Sequence, residues 1–266
     1  MTRAFGLIIV GDEILSGKRL DKHMPKVIEL LAARGLQLGW AEYVGDVPTR
    51  ITAALTRAFA SGDIVFSTGG IGATPDDHTR QCAAKALRRP LVLHPEAEVL
   101  IRERMQDTAR EQGVSYEPDR PDNIHRLNMG VFPEGAEIIR NPYNKIPGFS
   151  VDHVHFVPGF PVMAWPMIES VLDSRYTALF TQGQSSEKSV IVFGAMEATL
   201  TPLMEAIEAT HAGVKVFSLP SVDHPEYGRH IELGVKGAPA LLDSAYAQLL
   251  AGLRTFNARL GPELVR

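Results

Sequence analysis

Cysteine is nearly absent. Cys82 is the only one among 266 residues, which excludes a disulfide within the chain and any zinc site that needs two or more thiolates. It falls in a helical pattern and reads as a small core residue. Long apolar runs are missing as well. The stretch Phe5 to Val10 is far shorter than a membrane-spanning helix, and it meets Asp12 and Glu13 at once, unlike a secretory signal. Neither sign of charge dominates, since the formal net charge is -4; nothing invites nucleic acid or an anionic membrane. There is no internal repeat, no G-x-x-x-x-G-K-[ST] loop, no G-x-G-x-x-G after a strand and no H-E-x-x-H. What remains is an ordinary globular chain, 45% hydrophobic, expected in the cytoplasm. Small molecules, and a second copy of itself, are its expected partners.

What is present is an alternation. Phe5–Val10 and the run "DIVFST" at 63–68 are short, continuously apolar and followed by glycine, as strands buried on both faces are. Between them lie "LQLGWAEYV" at 36–44, read as a strand, and two helical patterns. One puts Met24, Val27, Ile28 and Leu31 on a face; the other, with Pro48 in its first turn, does the same with Ile51, Ala54, Leu55 and Ala58. Strand, helix, strand, helix, strand, helix predicts a three-layer α/β domain, a mostly parallel sheet covered by helices. A further helix is expected from Pro95 to about Gln112, then a Pro-rich charged loop over 114–137, a strand and turn at 137–149, and a last strand ending in "VPGFP". The paired histidines His153 and His155 are expected on one strand face, without a third ligand nearby. The first domain is assigned to residues 1–180.

A second unit, 186–266, follows. "KSVIVFGA", "VKVFSL" and "RHIELGV" read as strands, the last with Ile231, Leu233 and Val235 inward and His230, Glu232 and Gly234 on a wet face. Leu200, Leu203, Met204 and Ile207 mark one helix, and Leu242, Ala245, Tyr246, Leu249 and Leu253 another. Together they predict a small α+β unit.

The chemistry concentrates in three strand-following loops, "GDEILSG", "TGGIGATPDD" and "PGFP". If their strands are parallel, the loops share one edge, where open α/β sheets bind ligands. Gly69, Gly70 and Gly72 let backbone amides approach a bulky anion. Two readings of the carboxylates that follow stay open. Thr74 as N-cap, Pro75 as first helical residue, and Asp76 and Asp77 as first-turn acids would simply cap a helix. Alternatively, with Asp12 and Glu13 at the same edge, four carboxylates beside an anion cradle call for a cation between them. Mg²⁺ with a diphosphate meets that need.

The segments "GDEILSGK" (11–18), "VGDVPTRITAAL" (44–55), "STGGIGATPDDHTRQCAAKAL" (67–87) and "VPGFPVM" (157–163) resemble the MoaB/Mog-like molybdopterin-binding domain family, most of all its competence/damage-inducible branch, over roughly residues 4–175. The branch's C-terminal deamidase domain has no counterpart in this sequence. The resemblance implies a divalent metal, molybdopterin or a nucleotide as ligand, and metal-dependent pyrophosphatase activity on ADP-ribose-like substrates. It implies that Gly69, Gly70, Gly72 and Thr74 cradle phosphate, that Asp76 or Asp77 holds the metal or positions water, that Asp12 and Glu13 line the pocket, and that Gly159 shapes the opposite wall. The sequence departs from the family pattern at Ala73, at His23 in "DKH" (21–23) and at Phe160. A non-catalytic molybdopterin or nucleotide carrier is the competing expectation.

Overall fold

The computed structural model describes residues 3–180, 186–256 and 258–265. By internal contacts the chain divides into Met1–Phe180 and Thr181–Arg266. Of the two expected spans, residues 1, 2, 257 and 266, and the stretch 181–185 between the spans, lie outside the described residues.

In the first unit the order is β1 (Phe5–Val10), α1 (Asp12–Leu15), α2 (His23–Ala32), β2 (Leu38–Val44), α3 (Pro48–Ser61), β3 (Ile64–Thr68), α4 (Thr79–Leu87), β4 (Leu91–Leu93), α5 (Pro95–Glu111), α6 (Pro121–Arg126), a 3₁₀ turn (Leu127–Gly130), β5 (Val131–Pro133), β6 (Glu137–Ile139), β7 (Gly148–Val151), β8 (Val154–Val157) and α7 (Pro161–Arg175). Six of these strands form a sheet in the order β2-β1-β3-β8-β7-β6. β2, β1, β3 and β8 run parallel, and the β6–β7–β8 edge is antiparallel. The expected α/β class and mostly parallel sheet are therefore found.

Period-two alternation explains the three layers. Leu7 and Ile9 of β1 pack on one face with Val27, Leu31, Ile168 and Leu172 of α2 and α7. Ile8 and Val10 pack on the other with Ile51, Leu55, Cys82 and Ile101 of α3, α4 and α5. Every residue of β1, β3, β7 and β8 is buried, which is why those segments carry no polar alternation. Cys82 is in the core, as expected.

Several local expectations are corrected. In α2, Leu30 faces the core and Ile28 points outward, 45% exposed; the i, i+3, i+4 pattern admits either stripe, and packing on α7 selects Leu30. The segment 114–137 is not all loop. It holds α6, the 3₁₀ turn and β5, which pairs with β4. Pro121 starts α6, as proline in a first helical turn does. His153 is in the turn between β7 and β8, so it shares no strand face with His155. His155 is fully buried between Ser150 (Nδ1 to Oγ, 2.8 Å) and the Tyr176 hydroxyl (Nε2, 2.6 Å). Burial, with the charges of Arg175 and His153, pushes its pKa down to about 3.

The second unit runs β9 (Ser186–Phe193), α8 (Glu197–Thr210), β10 (Lys215–His224), β11 (Gly228–Gly237), α9 (Pro239–Thr255) and β12 (Arg259–Val265). Its sheet, β10-β11-β9-β12, is antiparallel throughout. Val190, Val192, Leu233 and Val235 meet Leu200, Ile207, Leu242 and Leu249 in a core of its own. β12 was not expected from the sequence; "RLGPELV" has a glycine and a proline and weak alternation, and it pairs only at the sheet edge, where proline is tolerated. Nor is the outer face of β11 wet throughout: His230 is buried, its Nδ1 donating to Gly228 O at 2.9 Å.

Candidate functional site

Because β1, β3 and β8 are parallel neighbours, their C-terminal ends fall on one edge, and the three loops meet. Gly69 N donates to Val157 O at 3.0 Å. A Cβ on Gly159 would lie 3.4 Å from Gly69 Cα, and one on Gly69 would strike Val10 O at 2.3 Å. Gly69 and Gly70 have φ of +94° and +67°, a conformation that side chains disfavour. The structure thus brings Gly159, Gly69 and the end of β1 together.

The helix after the glycine loop begins later than expected. Thr79, not Pro75, is the first residue of α4, and Thr74 is not its N-cap. Residues 74–77 instead close a turn of their own: Asp77 N donates to Thr74 O at 3.0 Å, and the Thr74 amide and hydroxyl both donate back to the Asp77 carboxylate. A carboxylate that accepts two local donors competes with helix continuation, which explains the late start. Gly72 is tied to the same device, since a Cβ there would meet Asp77 Oδ2 at 2.5 Å.

The loop's hydrogen bonds are one-sided. Gly69 O accepts from the Thr79 hydroxyl at 3.0 Å, Gly70 O from Thr79 N at 2.9 Å, Gly72 O from the Arg80 guanidinium and Ala73 O from His125 Nε2 at 3.2 Å. Among the described residues, the amides of Gly70, Ile71, Gly72 and Ala73 donate to nothing. Spent acceptors and unspent donors are what a backbone anion cradle requires.

Across from the cradle, carboxylates gather. Asp12 and Asp46 bond reciprocally, Asp12 N to Asp46 Oδ2 at 2.8 Å and Asp46 N to Asp12 Oδ1 at 3.1 Å. Burial raises the Asp46 carboxyl above its ordinary value; the bond from Asp12 N opposes this, and the charges of Asp12, Glu13 and Asp76 raise it further. Asp76 lies below its ordinary value, held there first by the Thr74 side chain and then by its own amide. Sequence reasoning missed Asp46 as a site residue. Its signal was the "VGD" that ends β2, the fourth parallel strand to finish at this edge. Among the described residues, no three His, Cys, Asp or Glu side chains are arranged to hold a metal ion by themselves.

Beside the cradle, on the α2 and α7 face, lies a pocket of about 400 Å³ lined by residues that include Ile14, Leu20, Arg19, Lys22, His23 and Thr68. It is largely apolar, yet two buried polar atoms on its lining have no partner among the described residues: Thr68 Oγ1 and His23 Nδ1. His23 Nε2 donates to Gly159 O at 3.0 Å, which leaves Nδ1 of the neutral ring an acceptor. Glu13 and Gly159 also line this pocket; Asp76 and Asp77 do not.

Residues 6–178 match the family described as "Probable molybdopterin binding domain". A CinA-like protein of Desulfosudis oleivorans is 30% identical over 92% of this chain, which spans 57% of that relative's length. A protein of Aeropyrum pernix is 28% identical over 93% of this chain and 90% of its own. Among solved structures, a CinA protein from Thermoplasma acidophilum, described as of unknown function, superposes on 64% of this chain and 98% of its own with 25% identity and a TM-score of 0.54.

Proposed function

The chain belongs to the molybdopterin-binding domain family, and from that premise we propose that its first unit binds a ring compound carrying a phosphate, a pterin or a nucleotide, across the ends of β1, β3 and β8. The carrying observation is the one-sided loop: the carbonyls of Gly69, Gly70, Gly72 and Ala73 are engaged by protein, while the amides of Gly70 to Ala73 are free among the described residues. Phosphate suits such a cradle. The apolar pocket alongside suits a flat ring, with ring N–H groups meeting His23 Nδ1 and a ring acceptor meeting Thr68. Arg19 and Lys22 add positive charge to its lining.

A second reading is hydrolytic, on ADP-ribose-like diphosphates, and the Asp12–Asp46 pair with Glu13 and Asp76 favours it. Mg²⁺, when bound, would neutralise the diphosphate. Asp12, Asp46 or Asp76 would supply its one or two protein oxygens, and a neighbouring carboxylate would orient a water at phosphorus. Asp77 fits this role less well, because both of its Thr74 contacts would have to be given up.

Calorimetric titration of the chain with molybdopterin, AMP, FAD and ADP-ribose, each with and without Mg²⁺, separates the readings. Binding of a phosphorylated ring compound, lost on removing its phosphate, is expected. Equal affinity for the dephosphorylated compound would sink the cradle. Release of AMP from ADP-ribose only with Mg²⁺ would support hydrolysis, and tight binding without turnover would leave the carrier reading.

A further inference from the structure

Arg80 is the second residue of α4 and is only 4% exposed. Its guanidinium donates to two main-chain carbonyls, Gly72 O in the glycine loop (2.5 Å) and Asn128 O in the 3₁₀ turn after α6, while Nε has no partner among the described residues. Among the described residues it makes no ion pair; Asp77 acts on it only through space, and burial lowers its pKa. An arginine stays charged in such a place. A buried cation without a partner is expensive for a fold, so its retention under this loop calls for a return.

The geometry supplies one. In a trans peptide the C=O and the following N–H point in opposite directions, and this chain has no cis bond among its described residues. Holding Gly72 O inward turns the Ala73 N–H outward, toward the cradle's open side. We infer that Arg80 is a positioning residue for the anion cradle: it fixes the Gly72–Ala73 peptide with its amide outward and lends the cradle the field of an unneutralised positive charge. The inference rests on the cradle reading above. His125 holds the next peptide through Ala73 O, whose Thr74 N–H is spent on the Asp77 carboxylate, so it steadies the loop without presenting an amide; it is itself steadied by Asn128, whose Nδ2 lies 3.3 Å from His125 Nδ1. The segment from Pro121 to Gly130 is thereby part of the cradle's support, although it touches none of the loop's unspent amides.

The role predicts two separable losses. Arg80→Lys keeps the charge but cannot span both carbonyls; Arg80→Gln removes the charge and keeps a donor. Inorganic pyrophosphate is the probe, titrated into the full chain while amide resonances are followed. In the wild type, the Gly70 and Ala73 amides are expected to shift on binding. Arg80→Gln is expected to bind about tenfold more weakly. Arg80→Lys is expected to lose the Ala73 response while Gly70 still responds, with a smaller loss of affinity. A purely structural arginine would lower the melting midpoint without singling out Ala73. Variants that bind like wild type with an unchanged Ala73 response would overturn the role of Arg80 alone. A wild type in which pyrophosphate moves neither amide would overturn the cradle itself.

Discussion

The two units use the same ingredients, hydrophobic strands and amphipathic helices, yet the first brings four glycine-bearing strand ends to one edge. Its β1, β2, β3 and β8 run in one direction, so Gly11, Gly45, Gly69 and Gly159, each within two residues of a strand's end, arrive at one edge. The antiparallel sheet of the second unit sends neighbouring strand ends to opposite edges. Strand direction, rather than loop composition, decides whether short glycine loops can act together.

The largest expected difference between the units comes from their glycines. Gly70 has φ +67°, and a Cβ there would lie 2.2 Å from Thr79 Oγ1; Gly228, the first residue of β11, has φ +58°, and a Cβ there would meet nothing within 4 Å among the described residues. Gly70→Val is expected to cost about 3 kcal/mol and to abolish phosphate binding. Gly228→Ala should cost about 1 kcal/mol, from backbone strain alone, and leave binding intact. Urea melts with parallel titrations check both, and equal costs would break the comparison.

Acid sensitivity comes next. His155 titrates near 3 when folded and near 6.5 when unfolded. The unfolded chain therefore takes up a proton that the fold refuses. Stability is full above pH 6.5 and falls as pH drops toward 3, by at most about 1.4 kcal/mol per pH unit. Both tryptophans, Trp40 and Trp165, belong to the first unit, so tryptophan fluorescence follows that unit alone. His155→Gln should flatten its pH profile; a profile unchanged by the substitution would assign the acid loss elsewhere.

The smallest effect, and the most informative about the metal, is at Asp46. Its raised pKa means that the folded state holds a proton which the unfolded state releases, so the ionised carboxylate weakens the fold as pH rises through the carboxylate range. Asp46→Asn should leave stability at pH 7 unchanged or slightly raised. If Asp46 helps to hold Mg²⁺ against a diphosphate, the variant should lose the Mg²⁺-dependent part of nucleotide affinity. Identical titrations with and without Mg²⁺ in both proteins would remove the metal from the site.

Much of this was legible in the order of residues. Short apolar runs such as "FGLIIV" and the one inside "DIVFST" read as strands covered on both faces, and helical stripes such as Ile51, Ala54, Leu55 and Ala58 lie between them; that alternation points to a parallel sheet in three layers. The glycines at 69, 70 and 72 and the acids at 12, 13, 76 and 77 could be picked out because glycine and paired carboxylates are informative wherever they stand. Tertiary structure alone decided the rest. Thr74 and Asp77 read as an N-cap and a first-turn acid of one helix, but the Asp77 carboxylate serves a separate turn and the helix starts at Thr79. Asp46 looks like any polar residue after a strand until β2 lies parallel beside β1 and sets it against Asp12. Arg80 and His125 are 45 residues apart, and His23 is 136 residues from Gly159. No local rule couples such positions; only the packing of α4 against the 3₁₀ turn, and of α2 against the end of β8, brings their donors to the carbonyls of one loop edge.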